Sequence, residues 1–201
     1  MAALFGQGIK QVDEIIEATK EGMVKKLKGG FVEDAEKIRE ILALSLDVYK
    51  ESIFQDAAKE GILKKMKFGY VNTAEKIGTI VGVPLDLYKQ PEFQVAAKDG
   101  ILNNLGYGRI DDAEKTRTIT GLSQDIYKQP GFQTAAKEGV VQKLKYGHID
   151  DAEKTRIVTG LSKEVYKQPE FQAAAKEGIV QKMKFSHMDE AKKITEITGV
   201  S

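Results

Sequence analysis

The amino-acid sequence predicts an all-α fold made of tandem helical repeats with a period of 39 residues, stacked as an α-solenoid with two helices plus a short third helix per repeat. The first observation is a set of glycines that recur at intervals of 39 residues: Gly22, Gly61, Gly100, Gly139 and Gly178. The second is that aligning residues 100–138 with 139–177 leaves 26 of 39 positions identical. The third is the four-residue spacing of apolar side chains within each copy, which is typical of one face of a helix.

The domain organisation follows from this period. The chain, 1–201, is interpreted as a single repeat array with approximate repeats 13–51, 52–90, 91–129, 130–168 and 169–201, the last one truncated. One repeat cannot bury its own apolar stripe, so neighbouring repeats must cover it. The divergent first copy suits a cap, and the alternative is that the chain is a segment of a longer array.

The first helix of each copy is long. In the last copy, Pro169 stands at the favoured first helical position. Phe171, Ala175, Ile179 and Met183 then recur every four residues, so we expect them to form one buried stripe.

A glycine inside this helix needs an explanation, because it costs about 1 kcal/mol relative to alanine. Ala135, Ala136 and Gly139 form a strip of small residues on one face. We interpret the recurring glycines as packing positions where a neighbouring helix approaches closely.

The second helix of a copy follows a glycine turn. In the fourth copy, Gly147 supplies a left-handed stop, and Asp150 with Glu153 is interpreted as an N-cap and capping-box pair. Gly160 ends this helix, and a short third segment begins at the cap residue Ser162.

Two short segments resemble known helical-repeat families. "YGHIDDAEKT" resembles the turn between the two helices of a tetratricopeptide repeat, with Gly147 and Ala152 at that family's spacing, and "AAKEG" at 135–139 is similar to the first helix of ankyrin repeats. The resemblance implies a curved stack of helix pairs that binds proteins or peptides.

"TGLSKEVYK" at 159–167 resembles the corner of a helix-turn-helix, which implies a DNA-reading helix.

Composition argues against several classes of function. The formal net charge is only +1, whereas general nucleic-acid and anionic-membrane binders carry a basic excess. The sequence has no cysteine and no apolar run near the roughly 20 residues of a membrane helix, so we expect a cytoplasmic protein without membrane insertion. We find no catalytic triad, phosphate loop or dinucleotide fingerprint and expect a protein that is not an enzyme, with no cofactor and no metal.

One turn position varies while its surroundings stay nearly constant, and we name its five residues the turn row: Phe31, Tyr70, Arg109, His148 and His187. Large aromatic and basic side chains are over-used at interfaces. We hypothesise that the turn row contacts a protein or peptide partner. The alternative is an unconstrained loop tip.

Lysines recur at the end of the long helix, and we name these eight the lysine ridge: Lys26, Lys28, Lys65, Lys67, Lys143, Lys145, Lys182 and Lys184. Stacked repeats would align them for nucleic-acid binding, although cations also suit helix C-termini. The third copy interrupts the ridge with Asn104 and Gly106.

Three functions remain open from the sequence. The first is a non-catalytic scaffold or adaptor that binds a protein or peptide through an extended surface. The second is nucleic-acid binding through the lysine ridge. The third is a structural array whose partner is another copy of itself, joined end to end.

Overall fold

The computed structural model describes residues 2–200, with the side chains of residues 12–200. This part of the chain is all-α and contains no β-strand. Its α-helices are α1 (Ala2–Lys28), α2 (Val32–Ile41), α3 (Ser52–Lys67), α4 (Val71–Val81), α5 (Pro91–Gly106), α6 (Ile110–Ile119), α7 (Pro130–Lys145), α8 (Ile149–Thr159), α9 (Pro169–Lys184) and α10 (Met188–Thr198). Short 3₁₀ helices span Leu46–Lys50, Leu85–Lys89, Gln124–Lys128 and Lys163–Lys167.

The local elements recur with the sequence period. Helices α3, α5, α7 and α9 are each 16 residues long and begin at residues 52, 91, 130 and 169. The third segment of each of the first four copies is a 3₁₀ helix of five residues, which ends where the next copy begins. Five residues are too few for a helix that reads a DNA groove, so the structure removes the helix-turn-helix interpretation.

The chain divides into two compact units, and the first contains Met1–Met66 and Tyr70–Phe93. Helix α1 packs against α2, and α2 lies beside α4. Leu27, Ile62 and Met66 are fully buried in this unit. Tyr49 meets Phe54 edge to face, with 5.8 Å between the ring centroids, so the short third segment is tied to the start of the next long helix.

The second unit contains Lys67–Gly69 and Gln94–Ser201. Helix α7 packs against α8 and α9, α9 packs against α10, and α8 lies beside both α6 and α10. Long helices therefore lie beside long helices, and second helices beside second helices. Leu105, Val140 and Leu144 are fully buried between these layers.

The second helix begins two residues earlier than the capping interpretation requires. Helix α8 starts at Ile149 with His148 at its N-cap and no side-chain cap. The His148 N–H donates to the carbonyl of Lys143 at 2.8 Å, so the stop of α7 leads directly into α8. The predicted N-cap role of Asp150 is therefore wrong, and its carboxylate pairs with Lys193. Glu153 does not close a capping box either, because it accepts hydrogen bonds from other side chains.

The predicted ends of the second helix and the start of the third segment are confirmed. Gly160 has a left-handed backbone with φ of 70°, and the Ser162 hydroxyl accepts from the Glu164 N–H at 3.2 Å. Ala43 occupies the position equivalent to Gly160 in the first copy and has φ of 50°. A side chain in this region is strained by roughly 1–2 kcal/mol.

The packing role of the mid-helix glycines is visible at three of them. A Cβ on Gly61, Gly139 or Gly178 would overlap the carbonyl oxygen of Leu27, Leu105 or Leu144, respectively. Each glycine therefore lies directly on the last turn of the preceding long helix. Gly22 differs, because a Cβ there would meet no atom within 4 Å.

The predicted apolar stripe of α9 is buried only along part of its length. Phe171 and Ala175 are fully buried and Ile179 is half-buried, but 52% of Met183 is exposed. The equivalent Leu144 in α7 is covered by α9. Burial at this position therefore depends on a following helix.

Candidate functional site at the repeated turns

The turn between the two helices of a copy has the same backbone geometry five times. The turn row occupies the N-cap of the second helix, with φ between −100° and −89° and ψ between 59° and 66°: Phe31, Tyr70, Arg109, His148 and His187. Each backbone N–H donates to the carbonyl five residues earlier at 2.7–2.9 Å. Each backbone carbonyl accepts from the N–H of the alanine four residues later, which recurs with the 39-residue period. Because none of these bonds uses the side chain, the fold accepts many residue types here.

All five side chains of the turn row are exposed. Phe31 is 56% exposed and Tyr70 is 53% exposed. In the first unit, the Lys65 ammonium lies 4.8 Å from the Phe31 ring centroid and 5.7 Å from that of Tyr70. The geometry places these rings where they can interact with cations.

A second set of exposed aromatic residues lies two positions before the turn row, and sequence reasoning missed it. Its members are Phe68, Tyr107, Tyr146 and Phe185, which are exposed by 56%, 69%, 63% and 70%, respectively. We name this set the second aromatic row. The signal was available, because an aromatic residue returns at this turn position in four copies while the buried stripe is complete without it. In the second unit, the Arg109 guanidinium lies 5.6 Å from the Tyr107 ring centroid.

A groove lies between consecutive turns of the second unit. It has a volume of about 480 Å³, and we name it the acidic groove after its polar lining: His148, Asp150, Asp151, Lys182, Asp189, Glu190 and Lys193. Four carboxylates therefore face two ammonium groups. Lys182 hydrogen-bonds Glu190 and lowers the pKa of that carboxyl.

The first unit contains a smaller groove of the same construction. It has a volume of about 240 Å³ and is lined by Phe31, Glu33, Asp34, Lys65 and Lys76, among others. Lys76 pairs with Glu33 across it, as Lys193 pairs with Asp150 in the second unit. The charged groove between turns is thus a recurring feature.

Four of the eight lysines of the ridge pair with carboxylates of the fold, and Lys182 with Glu190 is one of these pairs. Lys26 and Lys143 pair with carboxylates of their own turns, Asp34 at 2.8 Å and Asp151 at 2.7 Å. Lys28 lies 3.4 Å from Glu60. These contacts neutralise part of the charge that a phosphate backbone would need.

The alkyl parts of these lysines also cover the turn glycines. A Cβ on Gly147 would overlap the Lys182 side chain, and a Cβ on Gly30 would overlap that of Lys65. In the third copy, Asn104 takes this role and donates to the carbonyl of Gly69 at 3.0 Å, with 2% of the residue exposed. The interruption of the lysine ridge at Asn104 therefore has a packing reason.

The remaining lysines of the ridge differ in exposure. Lys67 and Lys184 are exposed, whereas Lys65 and Lys145 are half-buried. Tyr146 and Phe185 directly follow Lys145 and Lys184 in the chain.

The histidines lie in separate turns. Among residues 12–200, no group of three or more His, Cys, Asp or Glu side chains is arranged to hold a metal ion. His148 borders the acidic groove, and His187 is exposed at the following turn.

Comparisons of the chain with family models, curated proteins and solved structures found no match. None of the described helices is long and apolar enough to cross a membrane. The candidate site therefore rests on the turns themselves: the turn row, the second aromatic row and the grooves beneath them.

Proposed function

We propose that this protein is a non-catalytic repeat scaffold or adaptor, stacked as an α-solenoid, that binds a protein or peptide through its turns. The observation that carries the proposal is the turn row. Its backbone is held identically in five copies while its side chains are exposed and vary among aromatic and basic types. A rigid backbone that presents interchangeable side chains is the general design of a binding surface on a scaffold.

The chemistry of the second unit favours a basic peptide segment as the partner. The acidic groove presents the exposed Asp189 near His148, beside the Asp150–Lys193 pair, and Tyr146 and Phe185 are exposed at the same turns. Carboxylates pair with Lys and Arg side chains, and aromatic faces attract the same cations. A peptide with alternating basic and apolar side chains satisfies both features.

Nucleic-acid binding is the second candidate, and a specific arrangement supports it. Lys184 is exposed beside Phe185, and Lys145 precedes Tyr146, so cationic and stacking groups adjoin as in single-strand binders. The acidic groove opposes this function, because its carboxylates repel phosphate. The two candidates differ in the sign of the charge that they select.

A binding titration separates them. The full chain is titrated with short basic, neutral and acidic peptides and with a single-stranded oligonucleotide, by fluorescence anisotropy at several salt concentrations. The proposal expects the basic peptide to bind most tightly and Tyr146→Ala to weaken it, whereas Ile157→Ala, which removes a 63% exposed side chain of α8, leaves binding unchanged. Preference for the oligonucleotide, with affinity falling steeply with salt, would transfer the function to the lysine ridge.

The turn row itself is tested by a double alanine variant. Tyr70→Ala with Arg109→Ala removes two exposed side chains, so we expect the free energy of unfolding to change by no more than is typical of surface positions, about 0.5 kcal/mol. Peptide binding should weaken at the same time. A variant that unfolds instead shows that these side chains serve the fold.

A further inference from the structure

Within each unit, one repeat packs on the next through a recurring apolar junction. The last leucine of a long helix is fully buried at Leu27 and Leu144, beneath the glycine of the following helix. The first residue of the second helix is buried at the same junctions, with Val32 at 2% and Ile149 at 3% exposure.

The same positions are open on the last turn of the second unit. Met183 corresponds to Leu144 and is 52% exposed, and Met188 corresponds to Ile149 and is 57% exposed. Phe185 adds a side chain that is 70% exposed. We name Met183, Phe185 and Met188 the trailing face.

Helix α1 carries the complementary surface in the first unit. Gly22 corresponds to Gly61 and Gly139, yet a Cβ on Gly22 would meet nothing within 4 Å. Ile15 stands where the later copies have a buried phenylalanine such as Phe54, and it is 58% exposed. We name the surface around Ile15, Ala18 and Gly22 the leading face.

Ion pairs across the repeat junctions extend this complementarity. At three junctions the second helix uses a lysine to reach an acidic residue of the preceding second helix, in the pairs Lys76–Glu33, Lys154–Asp111 and Lys193–Asp150. At the leading face, the equivalent lysine is Lys37, and at the trailing face the equivalent acid is Asp189. Both are exposed.

A second junction pair shows the same relation. Glu60 of α3 reaches Lys28 of α1. The equivalents of these two residues at the open faces are Glu21 and Lys184, and both are exposed. The two faces therefore expose apolar and oppositely charged residues at the positions that meet at the internal junctions.

We propose that the leading face of one copy of this chain docks on the trailing face of a second copy, so that copies associate head to tail. Gly22 of one copy then lies on the last turn of α9 of its neighbour, as Gly178 lies on the last turn of α7 within the chain. The contact is heterologous, because two different surfaces meet and each copy keeps one of each. This association adds a self-binding activity to the proposed peptide binding, with which it shares Phe185 and Asp189.

The test measures molar mass by light scattering during size-exclusion chromatography over a range of protein concentrations. The unmodified chain is expected to grow in mass with concentration. Gly22→Arg blocks the leading face and Met188→Lys blocks the trailing face, and each variant alone is expected to raise the dissociation constant at least about tenfold. Circular dichroism confirms that both variants remain helical.

Mixing experiments identify the polarity of the contact. The Gly22→Arg and Met188→Lys variants each retain one functional face, so an equimolar mixture is expected to form dimers and nothing larger. A charge reversal supplies a second test that leaves the apolar contact intact. Lys37→Glu should weaken association, and Lys37→Glu with Asp189→Lys should restore it.

Three results would overturn the proposal. The first is an unmodified chain that stays monomeric at every concentration. The second is a mass increase that neither blocking variant changes, and the third is a mixture of the two blocked variants that remains monomeric.

Discussion

Replacing Gly139 with alanine has two effects on stability, and they have opposite signs. In an isolated helix the change is stabilising by about 1 kcal/mol, because glycine is the poorer helix former. In this fold the new Cβ would overlap the carbonyl oxygen of Leu105 and lie 2.9 Å from the N–H nitrogen of Gly108. These are backbone atoms, so no side-chain rotation relieves the overlap.

The size of the penalty follows from what must move. Overpacking of a well-packed contact costs about 1–3 kcal/mol. The Leu105 carbonyl also accepts the Gly108 N–H at 2.8 Å, and weakening that hydrogen bond costs about a further 1 kcal/mol. After subtraction of the helix-propensity gain, we expect Gly139→Ala to lower the free energy of unfolding by about 1–3 kcal/mol.

Gly22 provides the matched control, because the same substitution there meets no neighbouring atom. Gly22→Ala should raise the free energy of unfolding by up to about 1 kcal/mol. The assay is urea denaturation followed by far-ultraviolet circular dichroism at low protein concentration, so that association does not add to stability. If Gly139→Ala is as stabilising as Gly22→Ala, the inference that α7 packs closely on α5 at Gly139 is wrong. Gly178→Ala should reproduce the loss on the α7 turn.

Three further predictions concern backbone strain, alkaline pH and the hydrogen bond from Tyr166 to Glu153. Ala43→Gly should stabilise the protein by about 0.5–1 kcal/mol, because it relieves a left-handed backbone that alanine disfavours; thermal denaturation checks this, and the same change at the exposed helical Ala173 should destabilise. Burial and the charge of Glu75 raise the pKa of Tyr88 to about 12. The contribution of the neutral Tyr88 hydroxyl to stability is therefore complete below pH about 10 and is lost as pH rises to about 12. In urea titrations, Tyr88→Phe should reduce the fall of the free energy of unfolding with pH by up to about 1.4 kcal/mol per pH unit. Tyr166 donates to Glu153 at 2.6 Å, so Tyr166→Phe should cost about 1–3 kcal/mol, measured by chemical denaturation, and a loss below about 0.5 kcal/mol would show that this bond adds little.

The loss of stability at acidic pH depends on the same glutamate, Glu153. Burial of Glu153 opposes its ionisation, but hydrogen bonds from Arg156 and Tyr166 outweigh burial and lower the pKa of the carboxyl. A lowered folded-state pKa means that the contribution is present at neutral pH and is lost as pH falls through that value. Glu153→Gln should therefore make stability less sensitive to acid, at a cost in neutral-pH stability.

Much of the local structure could be predicted from the sequence. The 39-residue spacing and the four-residue apolar spacing located the long helices, and Gly160 and Ser162 marked where elements end and begin, because left-handed turns and hydroxyl caps are local preferences. The N-cap was mispredicted at Asp150 for a reason that lies outside the second helix. The preceding helix ends in a hydrogen bond from the His148 N–H to the Lys143 carbonyl, and this bond fixes where the next helix starts.

The candidate site divides in the same way. The turn row was identified from sequence because variation inside a constant repeat is visible without coordinates. The acidic groove was not, since it joins Asp150 of one copy to Lys193 of the next, 43 positions apart. Likewise, the lysine ridge was predicted as a binding surface, but ion pairs and contacts with turn glycines engage several of its members.

The sequence by itself determined which residues form helices and turns, because helix periodicity, glycine conformation and capping depend on neighbours within a few residues. Only the tertiary structure decided which of the equivalent positions are covered by a neighbouring helix. Gly22 and Gly139 are both glycines and stand at the same place in the 39-residue period. Met183 and Leu144 are also at equivalent places. One member of each pair is covered and the other is open, because burial requires a neighbouring helix and no local pattern records where that neighbour lies.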